Sequence, residues 1–217
     1  MFGKGIFITM LAVFVSALVC SCGADKASLT AERGAEVAYD PEKLERDLEG
    51  APEIQALIAI RDDMAALAIA RNVTADEIRA TALNASLSNG LLGFTEADAQ
   101  AVANRIDELI ESLYDRFPAL SEAEARSAPE CEVCDLESIA SSWEHLSKTL
   151  AVGLAEQGRL ADEAPAKGKL VCKMTQLVLG MGLCAAKSGA NVLFYSICSY
   201  GVFCGACDGG VADVICP

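Results

Sequence analysis

The stretch Ser188-Gly-Ala-Asn-Val-Leu-Phe-Tyr-Ser-Ile-Cys-Ser-Tyr-Gly-Val-Phe-Cys-Gly-Ala-Cys207 contains no charged side chain. A run of this length is sufficient to cross a bilayer, which takes about 20 apolar residues. It also holds Cys198, Cys204 and Cys207, three glycines and Asn191, a mixture shared by compact, disulfide-stapled domains. We read it as the buried core of such a domain, with a lipid-inserting segment as the alternative.

Outward from this stretch, Leu170 to Cys216 is rich in Leu, Val, Gly, Ala and Cys, and the charge of the chain divides around it. Residues 25–168 carry 29 acidic and 13 basic side chains, a net of −16, whereas residues 169–217 carry Lys169, Lys173, Lys187, Asp208 and Asp213, a net of +1. Phosphate backbones are met by clustered Lys and Arg, and no such cluster occurs. Nucleic acid is therefore not an expected partner.

The acidic part carries helix signals. Asp40-Pro41 supplies a cap and a first-turn proline for a helix to Glu49, ended by Gly50. Pro52 to about Arg71 places Ile54, Leu57, Ile58, Met64, Leu67 and Ile69 along one face and leaves Arg61, Asp62 and Asp63 to water. Thr74-Ala-Asp-Glu77 is a capping-box pattern opening a helix that fades near Asn89-Gly90, and Thr95 opens another that Pro118 stops beyond Arg116. Ser121 to Glu132 reads as polar and proline-interrupted. Asp135 then caps a helix to about Gln157 with Leu136, Ile139, Trp143, Leu146 and Leu150 on one face, and Gly158 to Gly168 reads as a linker.

The first residues read as an export signal: Lys4, an uncharged apolar run from Gly5 to Val19, then small residues. Val19-Cys20-Ser21-Cys22 resembles the lipobox of bacterial lipoproteins, with Cys22 at the lipidated position and Val19 where leucine is usual. The resemblance implies cleavage before Cys22 and a membrane partner held through acyl chains, two or more of which anchor firmly. Gly23 stands where an inner-membrane-retained lipoprotein often has aspartate, which points to the outer membrane or cell surface, with release after processing as a further possibility.

Eight cysteines then remain: Cys131, Cys134, Cys172, Cys184, Cys198, Cys204, Cys207 and Cys216. An even count in an exported chain reads as up to four disulfides, whose pairing the sequence leaves open. Cys131-x-x-Cys134 with Cys204-x-x-Cys207 has the spacing of a four-thiolate zinc site, but 69 residues separate the pairs and an oxidising compartment favours disulfides, so no metal or other cofactor is expected. Cys204-Gly-Ala-Cys207 has the form of a redox pair, yet Asp208-Gly209-Gly210 breaks a helix where that chemistry needs one to start. His145, the only histidine, sits beside Trp143 on an amphipathic helix. No sequence pattern specifies catalytic residues, and the chain is read as a non-enzyme.

Leu170-Val171-Cys172, Cys184, Cys198, Cys204 and Cys216, set among Gly, Ala, Val and Leu, resemble the cysteine-rich domain of halocin-like bacteriocins of the halocin C-eight type, with Cys131-x-x-Cys134 standing for the pair that opens it. Residues 135–169 separate that pair from the rest here, and the family has more cysteines. The resemblance implies an exported acidic part, an immunity protein in the archaeal case, followed by a compact apolar toxin.

The expected fold is mostly α. Residues 1–21 form a signal peptide, 22–39 a tether, 40–127 an acidic helical domain, 128–169 the CxxC segment, helix and linker, and 170–217 a disulfide-stapled, apolar helical domain. Two functions follow. One is a membrane-anchored bacteriocin-like protein, antimicrobial or immunity-associated, whose C-terminal domain meets a target membrane or envelope partner. The other is a non-catalytic envelope lipoprotein with a structural or binding role, in which Leu170 to Cys216 packs against the acidic helices.

Overall fold

The structure, a computed structural model, describes residues 40–127, 139–141, 143–149, 170–209, 212 and 216. Asp40 opens α1 (Pro41–Glu49) by accepting the backbone N–H groups of Glu42 and Lys43 at 3.1 Å, with Pro41 in the first turn. A second proline-led helix, α2 (Pro52–Ala70), follows.

Thr74 and Glu77 form a reciprocal capping box at the start of α3 (Ala75–Thr81), and Thr95 with Asp98 does the same for α5 (Glu96–Arg116). Hydrogen bonds from Thr74, its backbone N–H first, hold the Glu77 carboxyl below its ordinary range. Those from Thr95, its hydroxyl first, do the same for Asp98.

The single helix expected from Thr74 to Asn89 is in fact two. Asn84 accepts the Leu87 N–H and re-caps the chain, so that α4 (Ala85–Leu91) starts afresh after α3. A second correction is α6 (Ala119–Ser127), which runs into the stretch from Ser121 that reads as polar and proline-interrupted. Leu120 and Ala123, three apart on that helix, are buried, which anchors an otherwise polar helix. Residues 139–141 and 143–149 are helical (α7) and bury Ile139, Ala140, Trp143 and Leu146. The expected cap Asp135, with Leu136, Leu150 and the Gly158–Gly168 linker, lies outside the described residues, as do the signal and the tether.

The apolar C-terminal segment forms an antiparallel helical hairpin, α8 (Met174–Ser188) and α9 (Val192–Ala206), turned through Gly189 at φ 51°. A two-residue clip joins its ends: β1 (Val171–Cys172) pairs antiparallel with β2 (Cys207–Asp208), Val171 opposite Asp208 and Cys172 opposite Cys207. α8 and α9 approach so closely at Gly180 that a β-carbon there would collide with Val202.

The hairpin is the centre of the unit Tyr39–Pro217. α2, α4 and α5 pack on α9, and α1, α5 and α6 on α8. Apart from Ala99 and Ala103, the buried apolar residues form one cluster from Leu44 to Ala212, inside the unit Tyr39–Pro217. Along α9 every residue from Val192 to Tyr200 is buried except Phe194, which is half-buried. Its 15 residues span roughly 22 Å at 1.5 Å each, short of a bilayer core of about 30 Å. Among the described residues, no helix is long and apolar enough to cross a membrane.

Candidate functional site

Six of the cysteines pair with one another. Cys172–Cys207 bridges the β1–β2 clip, Cys184–Cys198 ties the last turns of α8 to the middle of α9, and Cys204–Cys216 secures the chain after the hairpin, at sequence separations of 35, 14 and 12. Cys204 and Cys207 are therefore bound to different partners and do not form a dithiol couple with each other. The disulfides indicate an oxidising, extracytoplasmic compartment. Cys22, Cys131 and Cys134 lie outside the described residues. His145 is exposed on α7, and among the described residues no group of three or more His, Cys, Asp or Glu is placed to hold a metal ion.

The candidate geometry lies where the hairpin meets the acidic helices, and polar groups lock that boundary at three places. At the start of α8, the N-cap Lys173 provides no side-chain cap. Glu45 of α1 takes that role, accepting the N–H groups of Met174 and Thr175, so a carboxylate from the acidic part meets the positive end of the helix. At the hairpin turn, the side chain of Asn89 donates to the Ala190 carbonyl at 2.7 Å and accepts the Val192 N–H at 3.1 Å. Asn191 reciprocates, donating to the Ala82 carbonyl at 3.1 Å while its oxygen caps α9 at Phe194.

The third lock is Arg61. Rather than facing water, it is 4% exposed on α2, with its guanidinium 4.2 Å from the centroid of the Tyr200 ring and 4.8 Å from that of Phe203. Nε and Nη2 each reach the Asp62 carboxylate at 2.8 Å, and the Tyr200 hydroxyl donates to the same oxygen at 2.7 Å. The Ser196 hydroxyl donates to the Arg61 carbonyl at 2.8 Å. Arginine is displaced from its expected position because α2 is apolar around most of its circumference and packs against both α5 and α9. Its planar, weakly hydrated head suits an aromatic slot better than an ammonium would.

Burial keeps the nearby phenols protonated. It pushes Tyr195 up to about 12, against a smaller opposing pull from the Arg61 charge, and raises Tyr200 further still. Arg61 Nη1, Tyr195 Oη and Ser199 Oγ are buried polar atoms that find no hydrogen-bond partner of acceptable geometry among the described residues.

Cysteine spacing and a charge-free, apolar composition marked the hairpin in the sequence, whereas Glu45, Arg61, Asn89 and Asn191 gave no motif. The one available signal was an arginine inside Ile58-Ala-Ile-Arg-Asp-Asp-Met-Ala-Ala-Leu-Ala-Ile-Ala70, a run too apolar to offer it a wholly wet face. What the arrangement can do is hold an apolar, covalently closed hairpin under a polar-locked cover. The chain matches no family model, no curated protein and no solved structure.

Proposed function

We propose that this chain is an exported, bacteriocin-like precursor, anchored through a lipid on Cys22, in which acidic helices hold a disulfide-stapled apolar hairpin under cover until the two are separated. One observation carries the reading. The six cysteines of residues 170–217 pair only among themselves, whereas the locks from Glu45, Asn89, Asn191 and Asp62 are hydrogen bonds that water can replace. The hairpin thus carries its own covalent frame, and the cover is attached to it by reversible contacts, as a toxin and its immunity part require. The opposed charge of the two segments supports the same division.

The test is to cleave the chain within residues 158–168, separate the parts in denaturant without reductant, and assay the oxidised hairpin. It is expected to release dye from liposomes or to inhibit related cells, and added acidic part is expected to suppress the effect. A hairpin inert in both assays defeats the proposal.

A second reading, a non-catalytic envelope lipoprotein in a binding or structural role, is favoured by the shared core. The Trp143 indole N–H reaches the Val73 carbonyl at 2.8 Å from within it, and the hairpin supplies the central helices of the whole assembly. Under that reading the cleaved parts stay associated and neither acts on membranes alone. Intact mass spectrometry of native envelope material tests the anchor in both cases: a lipid adduct on a chain starting at Cys22 supports it, and an unmodified N-terminus refutes it.

A further inference from the structure

We infer that the corner formed by the α3–α4 junction and the turn of the hairpin is a docking surface for anionic lipid. Residues 80–95 and 188–207 are the two longest charge-free stretches of the described chain, and they meet here through the Asn89–Ala190 and Asn191–Ala82 hydrogen bonds. In a protein of net charge −14, this corner presents a lipid phosphate with no carboxylate from either stretch.

Its apolar groups face outward without a structural reason. Leu83 is 94% exposed and Leu87, one turn on, is 57% exposed, the former being the most exposed large apolar side chain among the described residues. Leu83 immediately precedes the helix cap Asn84, a position whose apolar side chain commonly packs on the fourth helical residue. That residue is Ser88, so the leucine has no staple partner and contributes nothing to the core. Beside it opens a groove of about 440 Å³ lined by Ala82, Leu83, Ala85, Asn191 and Phe194, with exposed Lys187 at its edge.

Two leucines projecting next to a lysine match the interfacial region of a bilayer, where apolar tips enter the acyl boundary and a cation pairs with phosphate. A second copy of the chain fits less well. A stable protein contact needs about 800 Å² per partner, more than two leucines and a half-buried phenylalanine provide, and another copy would bring its own excess of carboxylates. The inference goes beyond the release reading, because it concerns the intact chain and rests on two leucines outside the hairpin.

The test uses the oxidised chain from Gly23 to Pro217, free of signal and acyl anchor and retaining the whole unit Tyr39–Pro217. It is mixed with vesicles of phosphatidylcholine alone or with phosphatidylglycerol. We expect sedimentation with the anionic vesicles, a loss of about tenfold or more in Leu83→Asp/Leu87→Asp, and a selective loss on anionic vesicles in Lys187→Glu. Circular dichroism is expected to show the fold of both variants unchanged, since the altered side chains are exposed. Equal partitioning of the leucine variant and the parent, or no partitioning of the parent, overturns the inference. So does a leucine-dependent change of mass in light scattering without vesicle binding, which would identify a second copy as the occupant. Inertness of the separated hairpin would count against the release reading alone.

Discussion

Arg61 shows how one side chain can matter more for arrangement than for stability. Its charge is buried between two rings, but Asp62, whose side chain is 49% exposed, keeps access to water. Removing the arginine therefore leaves mainly a void and not an isolated buried charge. Arg61→Ala is expected to cost about 2–4 kcal/mol in urea unfolding, from lost packing of the long stem and head. Arg61→Met is expected to lie within about 1 kcal/mol of the parent, because an apolar group of similar length refills the slot without the desolvation cost. If both variants lose the same amount, the charge itself is the stabilising element.

The phenols give a pH prediction at the same scale. Tyr195 is raised from 10.0 to about 12 by burial, so its protonated form is favoured in the folded chain. The sign follows from linkage: its contribution is complete below pH 10 and is lost as pH rises toward 12, where an unfolded chain gives up the proton more readily. Denaturant midpoints are expected to fall across that interval, with tyrosinate absorbance appearing together with unfolding. Tyrosinate formation well before unfolding would show that the phenol is not sealed. None of this was visible in the sequence, where arginine and tyrosine lie far apart and no spacing rule joins them.

Among the elements, helix starts were legible and helix partnerships were not. Asp40, Thr74 and Thr95 cap where their residue types and spacings indicate, because capping is settled within four residues of chain. α6 was missed because its surface is mostly Ser, Glu and Arg, and the contacts that justify it come from Leu120 and Ala123 meeting distant helices. The α3–α4 break was missed because Asn84 competes locally for the Leu87 N–H, which a search for apolar period does not detect. The close crossing of α8 and α9 yields a test of partnership. Gly180→Ala is expected to destabilise by about 1–3 kcal/mol, since the new methyl must displace Val202. Val202→Ala in the same chain should recover part of the loss in a double-mutant cycle, and strict additivity would argue against that contact.

For the whole molecule, composition announced the division between an acidic part and an apolar, cysteine-rich part, while caps and apolar period announced the mostly helical fold. It did not reveal that the apolar part forms the centre around which the acidic helices assemble, because composition records how much surface is apolar and not which faces meet. The export and anchoring readings rest on residues 1–39, outside the described structure, and stand on their sequence pattern. The disulfides add a stability expectation at this scale. Replacing Cys184 and Cys198 together by alanine opens a loop of sequence separation 14 and is expected to cost about 3 kcal/mol. A thermal melt of that variant matching the parent would mean that packing alone holds α8 to α9.

The clip that joins Val171–Cys172 to Cys207–Asp208 has a mechanical consequence. Because Cys172 is bridged to Cys207 and Cys204 to Cys216, tension applied between the α1 end of the chain and its C-terminus passes through sulfur twice and bypasses residues 173–203. Those residues become hidden length, shielded from the load. Stretched between an anchored end and a captured tail, the protein would shed its acidic helices one after another, while the hairpin travelled intact along the taut chain until a reductant freed it.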